Sequence, residues 1–501
     1  MNGLFSLKSL CSPPLPCART MADSVHVKDK IDVTNEEEEI FQLLLNVLQH
    51  SNLDTQLRVA GGWVRDKLLG KDCHDMDIMV DNMLGREFCE KINEYLLHVG
   101  ERTHRIVVIR SNPNQFKHLE TAMMRLFGKW IDFVNLRSGT YVQNNLPTMK
   151  FGTAEEDAYL RDLTINSMFY NLNTNSVEDL TGRGVADLKS GVIVTPLPPK
   201  ATFLDDPLRV LRAIRFSARF GFVLDEELKK AAADEEVKAA LANKISRERI
   251  GHEIDLMVSG NRPNNAIGFI CELQLFWVVF NLPQNSEPAV VEGCDRQCVA
   301  YMNAAWDVLR QIGFSIFSVP VAYNIFLNSL KLKAKDGATV INLHNTCKGF
   351  VSLIPFMTSS KDSIGVGTEL EEENLSVSLP LRRRILTGLL LRQIKDFWRV
   401  ALLMSTLLPI NNDHTEEFLR EHSKLEEKID TFKRVENLII ELDLDHVWNI
   451  KPLLDGKAIK NVLQLKGPVR QLGKWTTRVL KWQLAHPNGT AEECIDWIKQ
   501  S

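Results

Sequence analysis

The chain has 501 residues, 44 % hydrophobic and 25 % charged, enough for about three domains with sizeable cores. Its 60 Lys and Arg against 64 Asp and Glu give a net charge of −4. That balance excludes a protein holding nucleic acid by bulk positive charge and leaves room for a basic face within a neutral total. Nine scattered cysteines with no CxxC pair point to free thiols in a reducing compartment. Apolar runs such as residues 400–410 are too short to cross a bilayer, so no membrane partner is expected.

Residues 1–22 carry no acid, the bases Lys8 and Arg19, and several Ser and Pro, the composition of an organelle transit peptide for a mitochondrion or plastid. Met21 opens an alternative start whose product would stay in the cytoplasm or nucleus. Thr34 or Asn35 before Glu36, Glu37, Glu38 and Glu39 predicts an N-cap with acids in the first turn, followed by Ile40, Leu43, Leu44, Val47 and Leu48 at helical spacing. Short β-like runs follow at 57–60, 77–80, 106–109 and 130–136, with helical patterns between them. After about Phe203 strands become scarce and helical periodicity dominates, with polar interruptions near 283–292 and 359–378, the latter holding Glu371, Glu372 and Glu373. The expected fold class is α+β, a small mixed-sheet head followed by an all-α remainder.

The most informative stretch is RVAGGWVRDKLLGKDCHDMDIMV, residues 58–80. An apolar strand runs into Gly61 and Gly62, where paired glycines let backbone approach a phosphate. Asp75 and Asp77 are two apart, so a strand places both carboxylates on one side. Such oxygen ligands suit Mg²⁺, and two ions would activate an attacking hydroxyl and neutralise leaving pyrophosphate. Asp132 is an isolated acid inside the apolar WIDFVNL, read as a third carboxylate near the metal or the attacking hydroxyl. Asp206 and Arg209 lie one helical turn apart; the acid offers acceptors and the arginine donors, a pair able to read a base edge. Arg212, Arg215 and Arg219 extend a row of guanidiniums suited to a triphosphate or RNA backbone. Near the C-terminus, Arg470, Lys474 and Arg478 recur every four residues beside Trp475 and Trp482, either a stripe for a nucleic-acid backbone or a solvated face over a Trp core.

GGWVRD (61–66) with DMD (75–77) resembles the signature of class II members of the DNA polymerase β nucleotidyltransferase superfamily. RDLTINSMFYN (161–171), EDLTGRGVADL (178–188), LDDPLRVLRAIRFSARFGF (204–222) and KISRERIGHEI (244–254) are similar, in order, to its ribose, hinge, nucleotide-reading and last helical motifs. The set is closest to eukaryotic CCA-adding enzymes, and TPLPPKATFLDDPLRVLRAIRF with the closing HPNGTAEEC looks like the plant-type members. The resemblance implies metal on Asp75 and Asp77, triphosphate beside Gly61, Gly62 and Arg65, Arg161 and Asp162 near the ribose, and Asp206 and Arg209 reading CTP or ATP, with Arg212 also on the nucleotide. It implies Mg²⁺ (two ions), tRNA as partner, CTP and ATP as substrates, and no obligate protein partner. Residues 1–28 are then the transit peptide or a disordered start, 29–198 the catalytic head, 199–270 the neck and 271–501 the body and tail that grip tRNA. A poly(A) polymerase of the same superfamily is the alternative, and a catalytically weakened RNA-binding paralogue the second. Leu160 stands where the family shows the first Arg of an RRD triplet; if that arginine touches substrate, affinity here is reduced, and if it serves the surface, nothing is lost. His74-Asp75 lacks the companions of a phosphohydrolase dyad, His252-Glu253 lacks a zincin's second histidine, and the sequon at Asn488 is irrelevant in a reducing compartment.

Overall fold

The computed structural model describes residues 25–73, 75–109, 120–138, 151–281, 295–296, 298–300, 302–303, 334–358, 378–407, 422–464 and 469–500. The transit-peptide stretch, His74, most of both polar interruptions and Glu371, Glu372 and Glu373 lie outside them. The chain divides into two compact units, Met1–Val279 and Phe280–Ser501.

In the first unit, Thr34 caps α1 (Asn35–His50): its hydroxyl accepts from the Glu37 amide while the Glu37 carboxylate accepts from the Thr34 amide, a reciprocal capping box. The chain continues through β1 (Leu57–Ala60), α2 (Gly62–Leu68), β2 (Met76–Val80), α3 (Gly85–His98), β3 (Ile106–Ile109), β4 (Thr121–Leu126) and β5 (Lys129–Asn135). After α4 (Ala154–Tyr159) come β6 (Phe169–Asn171) and β7 (Ser176–Glu178). These strands form one mixed sheet in the order β3-β4-β5-β2-β1-β6-β7, where β2 and β5 run parallel and the other pairs antiparallel. Alternation sorts the faces: Ile131 and Phe133 are fully buried, with Phe133 against Phe88 of α3, while Trp130, Asp132 and Val134 point to a more open side. The expected runs form strands, two of them shifted by a residue. β4, reading TAMMRL, has the Ala, Met and Leu of a helix and is a strand by pairing with β3 and β5; β6 and β7 are too short to show periodicity.

Then follow α5 (Gly184–Ser190), β8 (Val192–Ile193), α6 (Pro199–Asp205), α7 (Leu208–Phe220), β9 (Val223–Leu224), α8 (Glu226–Ala232), α9 (Glu235–Lys244), α10 (Arg247–Val258), α11 (Pro263–Glu272) and α12 (Phe276–Val279). Val210, Leu211 and Ile214 of α7 are buried, and α7 packs against α10 and α11. The second unit is helical among the described residues. Helices Ala334–Thr358, Leu379–Ile394, Trp398–Leu407 and His422–Glu441 bury Phe350, Trp398 and Phe432. Gly456–Val462, Val469–Ala485 and Ala491–Gln500 enclose a smaller core around Ile459, Trp482 and Cys494. The fold is mixed α+β. No described helix is long and apolar enough to cross a membrane.

Candidate active site

The turn from β1 into α2 carries Gly61 at φ +68°, a conformation that strains residues with a Cβ. A Cβ there would sit 2.8 Å from Arg161 Nη1 and 3.2 Å from the Asn166 carbonyl, so the backbone shape calls for glycine and a side chain would also crowd its neighbours. The Gly61 amide donates to the Met168 carbonyl at 3.0 Å, tying the turn to the entrance of β6.

Beside this turn, β2 and β5 place carboxylates together. Asp77 and Asp132 are directly paired in the parallel register, and Asp75 immediately precedes β2. Burial, then Asp75 and Asp132 as like charges, pushes the Asp77 carboxyl up to about 6, against the pull of Arg161. Burial and Asp75 also raise Asp132. None of the three forms an ion pair among the described residues. No group of three metal-ligating side chains converges tightly enough to enclose an ion among those residues. Mg²⁺ does not require that, because it binds through one or two carboxylates and takes its remaining oxygens from phosphates and water. The donor chemistry and the mutual repulsion fit a hard divalent cation.

The arginines behave differently. Arg65, expected beside the triphosphate, is only 3 % exposed: its guanidinium lies 4.8 Å from the Phe216 ring centroid and 4.9 Å from that of Phe220, and it bonds Asp66 and the Asn166 side chain. Arg161 pairs with the buried Asp157, which also accepts from Arg137; despite burial, these two cations hold Asp157 down at about 2. Asp162, implied near the ribose, is turned inward, accepting from Asn166 at 3.1 Å and from Arg212 Nε at 2.8 Å. Burial opposes its ionisation, yet Arg212 and Asn166 hold it well below the ordinary carboxylate range.

Asp206 lies just before α7 rather than on it, extended at φ −133° and ψ 97° as suits the residue before Pro207. Its backbone carbonyl still accepts from the Arg209 amide at 3.0 Å, so the two remain one turn apart. Arg209 donates to the Leu160 carbonyl at 2.9 Å and pairs with Asp205. Arg215 pairs with the buried Glu253 and Arg219 with Asp66. The row of guanidiniums expected to face substrate is thus largely engaged by carboxylates and a carbonyl. Single-position patterning missed these partners: Asp66 lies 153 residues from Arg219, Asn166 101 from Arg65 and Glu253 38 from Arg215, although Asp66 adjoins Arg65 and Asp157 is one turn before Arg161. Arg249 was missed too; its Nη2 donates to Asp206 at 3.2 Å. Asp66, Asn166, Arg249 and Glu253 fall inside the motif segments and Asp157 just before one, but nothing in their local spacing names their partners.

In the second unit, Arg478 stacks 4.2 Å from the Trp475 centroid and Lys474 is exposed, while the Arg470 side chain lies outside the described residues.

Residues 57–194 match the poly A polymerase head domain family. The mitochondrial CCA tRNA nucleotidyltransferase of Saccharomyces cerevisiae is 34 % identical over 96 % of this chain and 96 % of its own length. The tRNA nucleotidyltransferase cca2 of Schizosaccharomyces pombe is 31 % identical, covering 90 % of this chain and 93 % of its own. The chain belongs to the CCA tRNA nucleotidyltransferases. It is therefore an enzyme of the nucleotidyltransferase type. Poly(A) polymerase I of Escherichia coli is similar over only 44 % of the chain. The same fold is seen in the Thermotoga maritima CCA-adding enzyme complexed with tRNA, with a TM-score of 0.56, 18 % identity, and coverage of 93 % and 95 %.

Proposed function

We propose that this enzyme completes the 3′ end of tRNA by adding CMP, CMP and AMP from CTP and ATP, releasing pyrophosphate. The observation that carries the reading is the set of like-charged carboxylates, Asp75, Asp77 and Asp132, beside the Gly61 turn and within one unit of Asp206 and Arg209. Asp75 and Asp77 would hold Mg²⁺, as two ions, which when bound supplies charge neutralisation for hydroxyl attack and pyrophosphate departure. Asp132, one strand over, faces the acceptor hydroxyl. Gly61 and Gly62 leave room for the triphosphate. Arg161 and Asp162 shape the floor under the ribose, the latter through Arg212. Asp206 and Arg209 present acceptors and donors to the base edge, so protein side chains select the nucleotide without a template.

Leu160 contributes its carbonyl, which accepts from Arg209 at 2.9 Å and Arg137 at 3.4 Å. That role needs no particular side chain and favours an active enzyme over a weakened paralogue. Lys474 and Arg478 are proposed to meet the tRNA backbone. We also propose residues 29–198 as catalytic head, 199–270 as neck and 271–501 as body and tail. Mitochondrial targeting is proposed from the acid-free start and the mitochondrial relative; plastid delivery and a cytoplasmic or nuclear product from Met21 rest on composition alone. The plant-type affiliation rests on two sequence segments, since the two tRNA nucleotidyltransferases reported above, 34 % and 31 % identical, are fungal. The test is to incubate the protein with tRNA ending before CCA, with CTP and ATP singly and together, and sequence the 3′ ends. Two C residues with CTP alone and CCA with both are expected; an A tail from ATP alone would establish the poly(A) polymerase alternative.

A further inference from the structure

The open face of the sheet does not end at Asp132. Along β5, residues two apart share a face, so Trp130 stands beside Asp132 on the catalytic side, about 6.6 Å along the strand. Across the sheet, Trp130 and Asp75 each immediately precede the paired residues Ile131 and Met76, which puts them level on neighbouring parallel strands. Trp130 is nonetheless 49 % exposed, although β5 is an interior strand flanked by β4 and β2. Directly opposite it on β4 is Arg125, whose Nε donates to the Gly128 carbonyl at 3.0 Å and which forms no ion pair among the described residues. The two-residue tip of this hairpin holds Phe127, 53 % exposed at φ +46°, a conformation costly for an aromatic residue. Lys129, on the other face, pairs with Glu36 at the start of α1 and ties the hairpin down.

The sidedness matters. The glycine turn follows β1, on one flank of β2, whereas Trp130 and Arg125 lie on the other flank, across β5 and β4. In-line displacement sets the attacking hydroxyl opposite the departing pyrophosphate, so with the triphosphate at the glycine turn the acceptor strand must enter from the β5–β4 side. An exposed tryptophan next to an arginine is the arrangement on which an unpaired base stacks while its phosphate finds a cation. We propose that Trp130, with Arg125 beside it, is the platform that stacks the 3′-terminal base of the RNA acceptor and so aims its hydroxyl at the carboxylates. This inference rests on the transfer reading above.

The test compares wild type, Trp130→Ala and Trp130→Phe in single-nucleotide addition to tRNA lacking CCA, with KM measured separately for tRNA and CTP. Trp130→Ala is expected to raise the KM for tRNA about tenfold or more, as the loss of one base–aromatic stack implies, with the KM for CTP held within about twofold. Trp130→Phe should recover most of the loss. An acceptor whose terminal nucleotide is abasic should erase the difference between wild type and Trp130→Ala, which a merely structural role would not do. An unchanged tRNA KM, a penalty that persists on the abasic acceptor, or an equal rise in the CTP KM would overturn the platform while wild-type addition leaves the transfer reading intact. Absence of addition by the wild type would overturn both.

Discussion

Two rows of charge share the first unit and are built on opposite plans. On α7 and beneath it, charges alternate in sign: Asp162 with Arg212, Glu253 with Arg215, Asp66 with Arg219. At the ends of β2 and β5 they repeat in sign, and burial of Asp77 beside Asp75 and Asp132 raises its affinity for a proton instead of satisfying it. Paired charges fix one part of the fold to another. Unpaired like charges cost the fold stability and are retained where something positive is to be bound. On the proposed mechanism, the contrast separates the residues that hold the site together from those assigned to its chemistry, although both lie in the same motifs.

The contrast breaks if substitutions in the two rows have similar consequences. The largest expected effect is on turnover: Asp75→Ala should lower nucleotide incorporation by more than about 100-fold, beyond the loss typical of changing a residue that only supports a metal ligand, with an unfolding midpoint no lower than wild type because its repulsion of Asp77 is relieved. Next, Arg212→Ala leaves Asp162 buried without its cation and should cost about 3 kcal/mol in urea unfolding. Asp157 sharpens the same point through pH. Its folded-state carboxyl at about 2 lies below the ordinary 3.8, so its stabilisation is complete above about pH 4 and lost as pH falls towards 2. Wild type should therefore lose roughly 2 kcal/mol over that interval which Asp157→Asn does not lose again. Arg209→Ala should reduce the preference for CTP and ATP over UTP and GTP by about tenfold in competition assays; unaltered preference would remove Arg209 from base reading. Smallest, Arg219→Ala should cost about 1 kcal/mol or less, because its side chain is 42 % exposed and solvent screens its pairing with Asp66.

How much of this was legible in the sequence follows from where the information lies. Asp75 and Asp77 were readable because two carboxylates at strand spacing after a glycine pair form a local pattern, and Asp132 because an acid interrupts an apolar strand. The pairing of Asp132 with Asp77 was not readable, since it depends on the register of two strands 55 residues apart. The arginine row of α7 was visible as a helical stripe, but its orientation was not. Whether Arg212 faces substrate or Asp162 is decided by the turn that carries Asp162, which folds back through its bonds to Leu163 and Asn166. Arg65 shows the same limit: it stands beside the glycines in sequence and against the Phe216 and Phe220 rings in space. The strand β4 was hidden by its helix-like composition and is formed by its neighbours.

The most direct measurement is urea unfolding of Asp77→Asn against wild type in metal-free buffer, read beside nucleotide incorporation by the same preparations once Mg²⁺ is supplied. Because the Asp77 carboxyl is raised to about 6, its ionised form costs stability above that pH, and the cost disappears as pH falls towards the ordinary 3.8. Asp77→Asn is expected to be more stable than wild type at pH 7 by about 2 kcal/mol, discounting for partial exposure, to converge with it near pH 4, and to incorporate no nucleotide. A variant that is less stable than wild type at pH 7, or that still extends tRNA at the wild-type rate, would contradict the assignment of this edge to chemistry.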